Sequence, residues 1–242
     1  MSTPRIFTEQ ALGEGLKLQL EEGPSRHLAG TLRLHAEAEI TLFDGRGGEY
    51  GARITSVERK RVAVEVLEHR ATELESPLAM ELGIAISRGE RMDWVTQKAT
   101  ELGVARISPL ITERTEVKLK GERLEKKLRH WQQITVSDCE QCGRNRLPQV
   151  NPLQSLESWA GSVQADCKLV LHHRSDTGID PAASPGSAAL LIGPEGGLAA
   201  AEIALAEENG FKPLTLGPRV MRTETAPLAA LAILQHRYGD MV

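Results

Sequence analysis

The sequence is short of aromatics and of cysteine, and each shortage removes a class of function. Phe, Trp and Tyr together make up 3% of 242 residues, too few for a binding surface built mainly on stacked bases. Cys139, Cys142 and Cys167 are an odd number in a fairly long chain, which is no disulfide framework. No run approaches the roughly 18 apolar residues of a membrane span. The opening MSTPRIFTEQ has neither the basic nor the apolar segment of a secretory signal. No membrane partner is expected, and the cytoplasm is the expected compartment.

What remains is the balance of an ordinary globular protein, 40% hydrophobic and 26% charged. That content can bury a core in one large domain or two smaller ones. The net charge of −4 is unevenly spread, with ten Lys/Arg against six Asp/Glu over 106–146. Arginine outnumbers lysine 20 to 9, and its planar fork suits phosphate. The basic band permits RNA binding, but a solvated helix face explains it equally well.

Residues 1–71 read as short strands. Two β-rich runs flank Asp44-Gly45 and Gly47-Gly48 in ITLFDGRGGEYGARITSV, a hairpin signal. Val62, Val64 and Val66 alternate with polar or small neighbours, the period of a half-buried strand. Strands of this length with tight turns suggest a small barrel, and ATELESPLA (71–79) a linker. From residue 80 apolar strands alternate with helical patterns, which predicts an α/β domain with a largely parallel sheet. In the first helix Met92, Val95, Ala99 and Leu102 fall at helical spacing before Gly103 as its stop. GERLEKKLRHWQQITVSDCEQCGR predicts a long basic helix, and TAPLAALAILQHRYG the last one.

Two loops carry the chemistry. The strand LLI runs into Gly193-Pro194-Glu195-Gly196-Gly197, and a helix follows. Glycines at a strand's carboxyl end let backbone approach a ligand where open α/β sheets bind theirs. The loop is neither a dinucleotide fingerprint nor a P-loop, and a plain tight turn is the competing reading. The second loop follows the strand LTLG and contains Arg222-Thr223-Glu224-Thr225. Helix capping explains the threonines and the glutamate. It does not explain Arg222, a cation near a helix's positive end, which a phosphate or nucleobase would.

Cys139 and Cys142 form CEQC, but zinc needs two further ligands. Cys167, His172 and His173 do not supply a zinc spacing, so no metal is expected and packing is favoured. His27 and Arg33 lie on the expected barrel, exposed or RNA-facing on even terms. No Ser-His-Asp arrangement and no acid–base carboxylate pair is visible.

The GPEGG loop, LGPRVMRTETA, RMDWVTQKATELGV and EQCGR together resemble the ribosomal RNA small-subunit methyltransferase E family of SPOUT methyltransferases. The resemblance runs from Arg5 through the last helix. It departs at Cys142, where serine is expected, and at Arg88, where lysine is commoner. It implies a PUA-like, RNA-binding β-barrel over 1–72 and a SPOUT methyltransferase domain with a trefoil knot over 73–242. It further implies methylation of uridine N3 at position 1498, in conventional 16S numbering, of small-subunit rRNA within an assembled or assembling 30S subunit. S-adenosylmethionine is the implied cofactor and a homodimer the implied working unit. Cofactor contacts carry over to Leu191, Ile192, Gly193, Pro194, Glu195, Gly196 and Gly197, to Leu216 and Gly217, and to Val220, Met221, Arg222, Thr223 and Thr225. RNA contacts fall on Arg5, His27, Arg33, Arg144 and Arg146. Arg222 is the expected stabiliser of charge on the uracil carbonyls, and Glu224 the expected acceptor of the N3 proton. Methylation of another RNA such as tRNA, ribose 2′-O-methylation, and a non-catalytic assembly factor are the alternatives.

Overall fold

The computed structural model describes residues 3–58, 61–172, 179 and 182–242. His173 lies outside them. The chain divides into two compact units, one of 1–75 with 136–147 and one of 76–135 with 148–242. The expected division at 72/73 was contiguous. The structure differs by grouping 136–147 with the amino-terminal strands.

In the first unit β1 (Arg5–Phe7), β2 (Lys17–Gln19), β3 (Glu39–Phe43), β4 (Glu49–Glu58) and β5 (Arg61–Arg70) form one sheet of order β1-β3-β4-β5-β2. β3 and β4 pair antiparallel across the expected hairpin, whose Gly45, Gly47 and Gly48 all have positive φ. Val62, Val64 and Val66 point inward and are fully buried, packing with Ile6, Leu42 and Ile54. The segment between β2 and β3 is not strand. It forms α1 (Glu22–Arg26) and a π-helical turn over His27–Thr31. Ser25 Oγ donates to Leu20 O at 3.0 Å and accepts from Val62 N at 3.1 Å, so the turn is stapled to the sheet. Leu28 fills the core beneath it.

In the second unit β6 (Ala79–Ala85), α2 (Arg91–Glu101), β7 (Val104–Ile111) and α3 (Gly121–Cys142) come first. β8 (Gln149–Val150), β9 (Gln154–Ser155), α4 (Leu156–Ser162), β10 (Cys167–Leu171) and β11 (Ser187–Ile192) follow, and α5 (Ala200–Glu208), β12 (Lys212–Leu214) and α6 (Ala226–Tyr238) close the chain. The strands make one seven-stranded sheet, β12-β10-β11-β6-β7-β8 with β9 also on β7, and every pairing is parallel. Such a sheet needs both faces covered. One core holds Met92, Val95 and Ala99 of α2 with Ala230, Leu231 and Leu234 of α6. The other holds Trp159, Phe211 and Leu191 under α4 and α5. On α3 the pairs Lys126–Glu122 and Arg129–Glu125 are exposed i,i+4 bridges. At those positions the basic band is a solvated face. No helix among the described residues is long and apolar enough to cross a membrane.

Candidate active site

Because β10, β11 and β12 are parallel neighbours, their carboxyl ends share one edge of the sheet. A cavity of about 900 Å³ opens there, lined by the segments that leave all three strands. It lies within the size range of small-molecule sites. From the end of β11 come Ile192 and then Gly193, Pro194, Glu195, Gly196 and Gly197, and after β12 come Leu216, Gly217, Val220, Met221, Arg222, Thr223 and Glu224. The two loops that the sequence singled out therefore face each other across one space.

Two of the expected cofactor contacts lie off the lining of the cavity. Leu191 does not line the cavity, because its side chain packs into the core with Trp159 and Phe211. Thr225 is exposed at the start of α6 and does not line it either. The capping reading fails too. Thr225 occupies the N-cap but makes no side-chain capping bond, and Glu224 precedes the cap.

Glu224 instead faces Arg91, whose Nε stands 3.4 Å from Glu224 Oε2. Arg91 Nη1 also donates to Glu195 Oε1 at 2.6 Å, so a single guanidinium spans carboxylates from both loops. Burial alone would raise the Glu195 carboxyl. Hydrogen bonds from its own N–H, from Arg88 N and from Arg91 outweigh that and hold it below the usual range. Glu224 Oε2 is buried and has no hydrogen-bond donor. Arg222 is exposed on the cavity wall, with no hydrogen-bond or ion-pair partner for its guanidinium among the described residues.

The glycines divide by cause. A Cβ on Gly193 would stand 3.0 Å from Leu198 N, so the loop's own path excludes it. Gly197 has φ +68°, which disfavours any side chain. Gly196 has neither constraint, since its Cβ would meet only Arg114 at an ordinary 3.5 Å. Arg114 Nη1, itself on the cavity lining, donates to Gly196 O at 2.9 Å and so anchors the loop.

Arg91, Arg114, His172, Thr215 and Arg219 also line the cavity and were not expected from the sequence. One of them had a legible signal. Arg91 opens α2, a cation at the positive end of a helix, the same anomaly that marked Arg222.

The expected RNA contacts separate in the first unit. Arg5 is held by Glu49 and donates to Gly143 O at 3.1 Å and Asn145 Oδ1 at 2.6 Å, with its side chain 17% exposed. Arg144 is buried and clamped by Glu75. The Nη atoms of Arg5 and the guanidinium of Arg144 are held within the unit, and Arg5 Nε is buried without a hydrogen-bond partner. Arg146 pairs with Glu73 at 3.0 Å but stays 57% exposed. His27 and Arg33 are exposed, and Arg33 has φ +53°, a region that costs a branched or long side chain about 1–2 kcal/mol. Cys139 is buried, and its hydrogen bond with Cys142 together with burial pushes its thiol well above the ordinary value. A packed, protonated thiol fits that environment. Among the described residues no group of three His, Cys, Asp or Glu is placed to hold a metal.

A family described as an RNA methyltransferase domain matches residues 74–235, and an RNA methyltransferase PUA domain matches 25–67. The ribosomal RNA small subunit methyltransferase E of Buchnera aphidicola subsp. Schizaphis graminum is 32% identical, covering 98% of both chains. The chain belongs to the ribosomal RNA small subunit methyltransferase E family. Among solved structures, a family member from Neisseria gonorrhoeae bound to S-adenosyl methionine is 39% identical, with TM-score 0.93 and full coverage of both chains. A putative methyltransferase from Legionella pneumophila with bound SAM is 41% identical, with TM-score 0.95 over 99% of this chain and 100% of that one.

Proposed function

We propose that this family member methylates N3 of a uridine in small-subunit rRNA, at position 1498 in conventional 16S numbering. The observation that carries the chemistry is the placement of Arg222 and the orphaned Glu224 Oε2 on one wall of the cavity between the GPEGG and RTETA loops. The cavity fits S-adenosylmethionine. It has the volume, an apolar wall of Ile192, Leu216, Val220 and Met221, and the glycine loop Gly193, Gly196 and Gly197 along its lining. When bound, that cofactor supplies a methyl group on a sulfonium.

The protein's own part is mainly positioning. N3 of neutral uridine carries a proton, which must leave as the N3–carbon bond forms. Glu224 Oε2, a buried acceptor without a donor, takes it. Arg222 offers its fork to the carbonyl oxygens on which negative charge develops. Arg91 holds Glu224 and Glu195 in place from α2. A uridine within a helix has to be flipped out to reach this pocket. Glu224→Gln keeps the shape and removes the base. Single-turnover methylation should slow by about 10²-fold or more, with melting temperature unchanged. A wild-type rate would remove Glu224 from proton transfer.

RNA is read by the first unit through Arg33, His27 and Arg146, with affinity falling as salt rises because bound phosphates release counterions. Arg33→Gly relieves the positive-φ strain while deleting the cation. RNA affinity should fall and melting temperature should hold or rise. Unchanged affinity would remove Arg33 from the RNA surface.

The trefoil knot belongs to the same reading. β12 sits at the sheet edge beyond β10, yet α6 after it packs on α2 and β11, so the intervening chain must return across the sheet. A homodimer is supported by Ile233 and Val220, apolar side chains left to solvent in the single chain. Three free cysteines support action in the reducing cytoplasm, where the 30S subunit is the proposed setting of the rRNA.

A further inference from the structure

We propose that RNA next to the target uridine follows a groove along the start of α2, where Trp94 stacks a neighbouring base and Lys118 and Arg123 hold its phosphate. The inference rests on the RNA-methyltransferase reading and adds a substrate-positioning surface in the second unit.

Three hollows join end to end. The cavity described above shares Arg91 and Glu224 with a shallow hollow lined by Arg88, Gly89, Glu90 and Trp94. That hollow shares Arg88, Gly89 and Glu90 with a third, of about 620 Å³, whose walls include Lys118, Arg123 and Lys127. Gly89 stands at the joint with φ +66° and nothing within 4 Å of where a Cβ would project. The passage is open there.

Core packing does not account for Trp94. The buried face of α2 is made by Met92, Val95 and Ala99, while Trp94 is 51% exposed; Trp131 and Trp159 are both 1% exposed. Lys98 Nζ lies 5.3 Å from its ring centroid. Lys98 Nζ is itself paired with Glu101 Oε1 at 2.6 Å, so what the helix offers a base at this point is the exposed indole as a stacking platform.

The charges give the strand a direction. Asp93 is already used, accepting from Trp131 Nε1 at 2.8 Å and contacting His130 Nε2 at 2.8 Å and Lys127 at 3.4 Å. Glu116 is paired with Arg88. Lys118 and Arg123 are exposed with no acidic partner among the described residues. Glu90, at the joint, repels phosphate. The base therefore lies at Trp94 and the phosphate at the far end, beyond Glu90.

Trp94 is also a reporter, because the other two tryptophans are buried. An unmodified rRNA fragment carrying the target uridine should quench the exposed tryptophan emission of the full-length protein. Trp94→Phe should abolish that quench. Trp94→Ala should raise the KM for the fragment about tenfold, and Trp94→Phe should restore most of it. Lys118→Ala with Arg123→Ala should flatten the salt dependence of binding by about 0.7 in log–log slope for each phosphate no longer held. S-adenosylmethionine affinity, measured by calorimetry, should stay at wild type in all of them. Wild-type KM and salt slope in the variants, while the parent still methylates the fragment, would overturn the groove and leave the enzymatic reading intact. Conversion to monomers by Trp94→Ala would also overturn it, by assigning the indole to a contact between copies. A parent that methylates no uridine would be a failure of the underlying reading instead.

Discussion

Gly196→Val should lose most of its affinity for S-adenosylmethionine and keep its fold. Its Cβ would meet only the Arg114 side chain at 3.5 Å, so the protein tolerates the first carbon. The γ-carbons then take space from a ligand that approaches the loop backbone. Overpacking of this kind costs about 1–3 kcal/mol, or roughly tenfold and more in Kd. Calorimetry with S-adenosylhomocysteine measures the affinity, and circular dichroism the fold. Gly193→Ala is the informative contrast, because its Cβ meets Leu198 in the loop itself and should lower the melting temperature. Native affinity in a folded Gly196→Val protein would take the GPEGG loop out of the cofactor site.

Arg222→Lys should lower kcat/KM by about 10²-fold although the charge is kept. A lysine offers a point charge where the guanidinium offers a planar pair of donors, and loss of one preorganised donor to a developing anion costs on that order. The guanidinium has no hydrogen bond or ion pair among the described residues, so the substitution breaks no interaction that holds the fold. Melting temperature should therefore stay at wild type. A full rate in Arg222→Lys would assign Arg222 to simple charge attraction. A full rate in Arg222→Ala as well would remove it from the chemistry.

Local pattern was readable in the sequence, and long-range partnership was not. The alternation of Val62, Val64 and Val66 and the spacing of Met92, Val95 and Ala99 each report one buried face, and both faces are buried as expected. The helical turn at 22–31 leaves no periodic signal because it is short and held by Ser25 reaching Val62, a long-range bond. The ion pairs of Arg5 and Arg144 were not legible, because their acids, Glu49 and Glu75, lie 44 and 69 residues away in the chain. Arg91 shows the opposite case. Its position at the head of α2 was as anomalous as that of Arg222, and only the fold showed that it joins Glu195 to Glu224.

Methyl transfer to N3 of one uridine is tested most directly by mass spectrometry of nuclease-digested rRNA. Unmodified small subunits would be incubated with the protein and isotope-labelled S-adenosylmethionine. The expected product is a single labelled N3-methyluridine in the small-subunit RNA, absent when Glu224→Gln or Arg222→Ala replaces the parent. Label on a ribose 2′-oxygen, label only in tRNA, or no label in any RNA would contradict it.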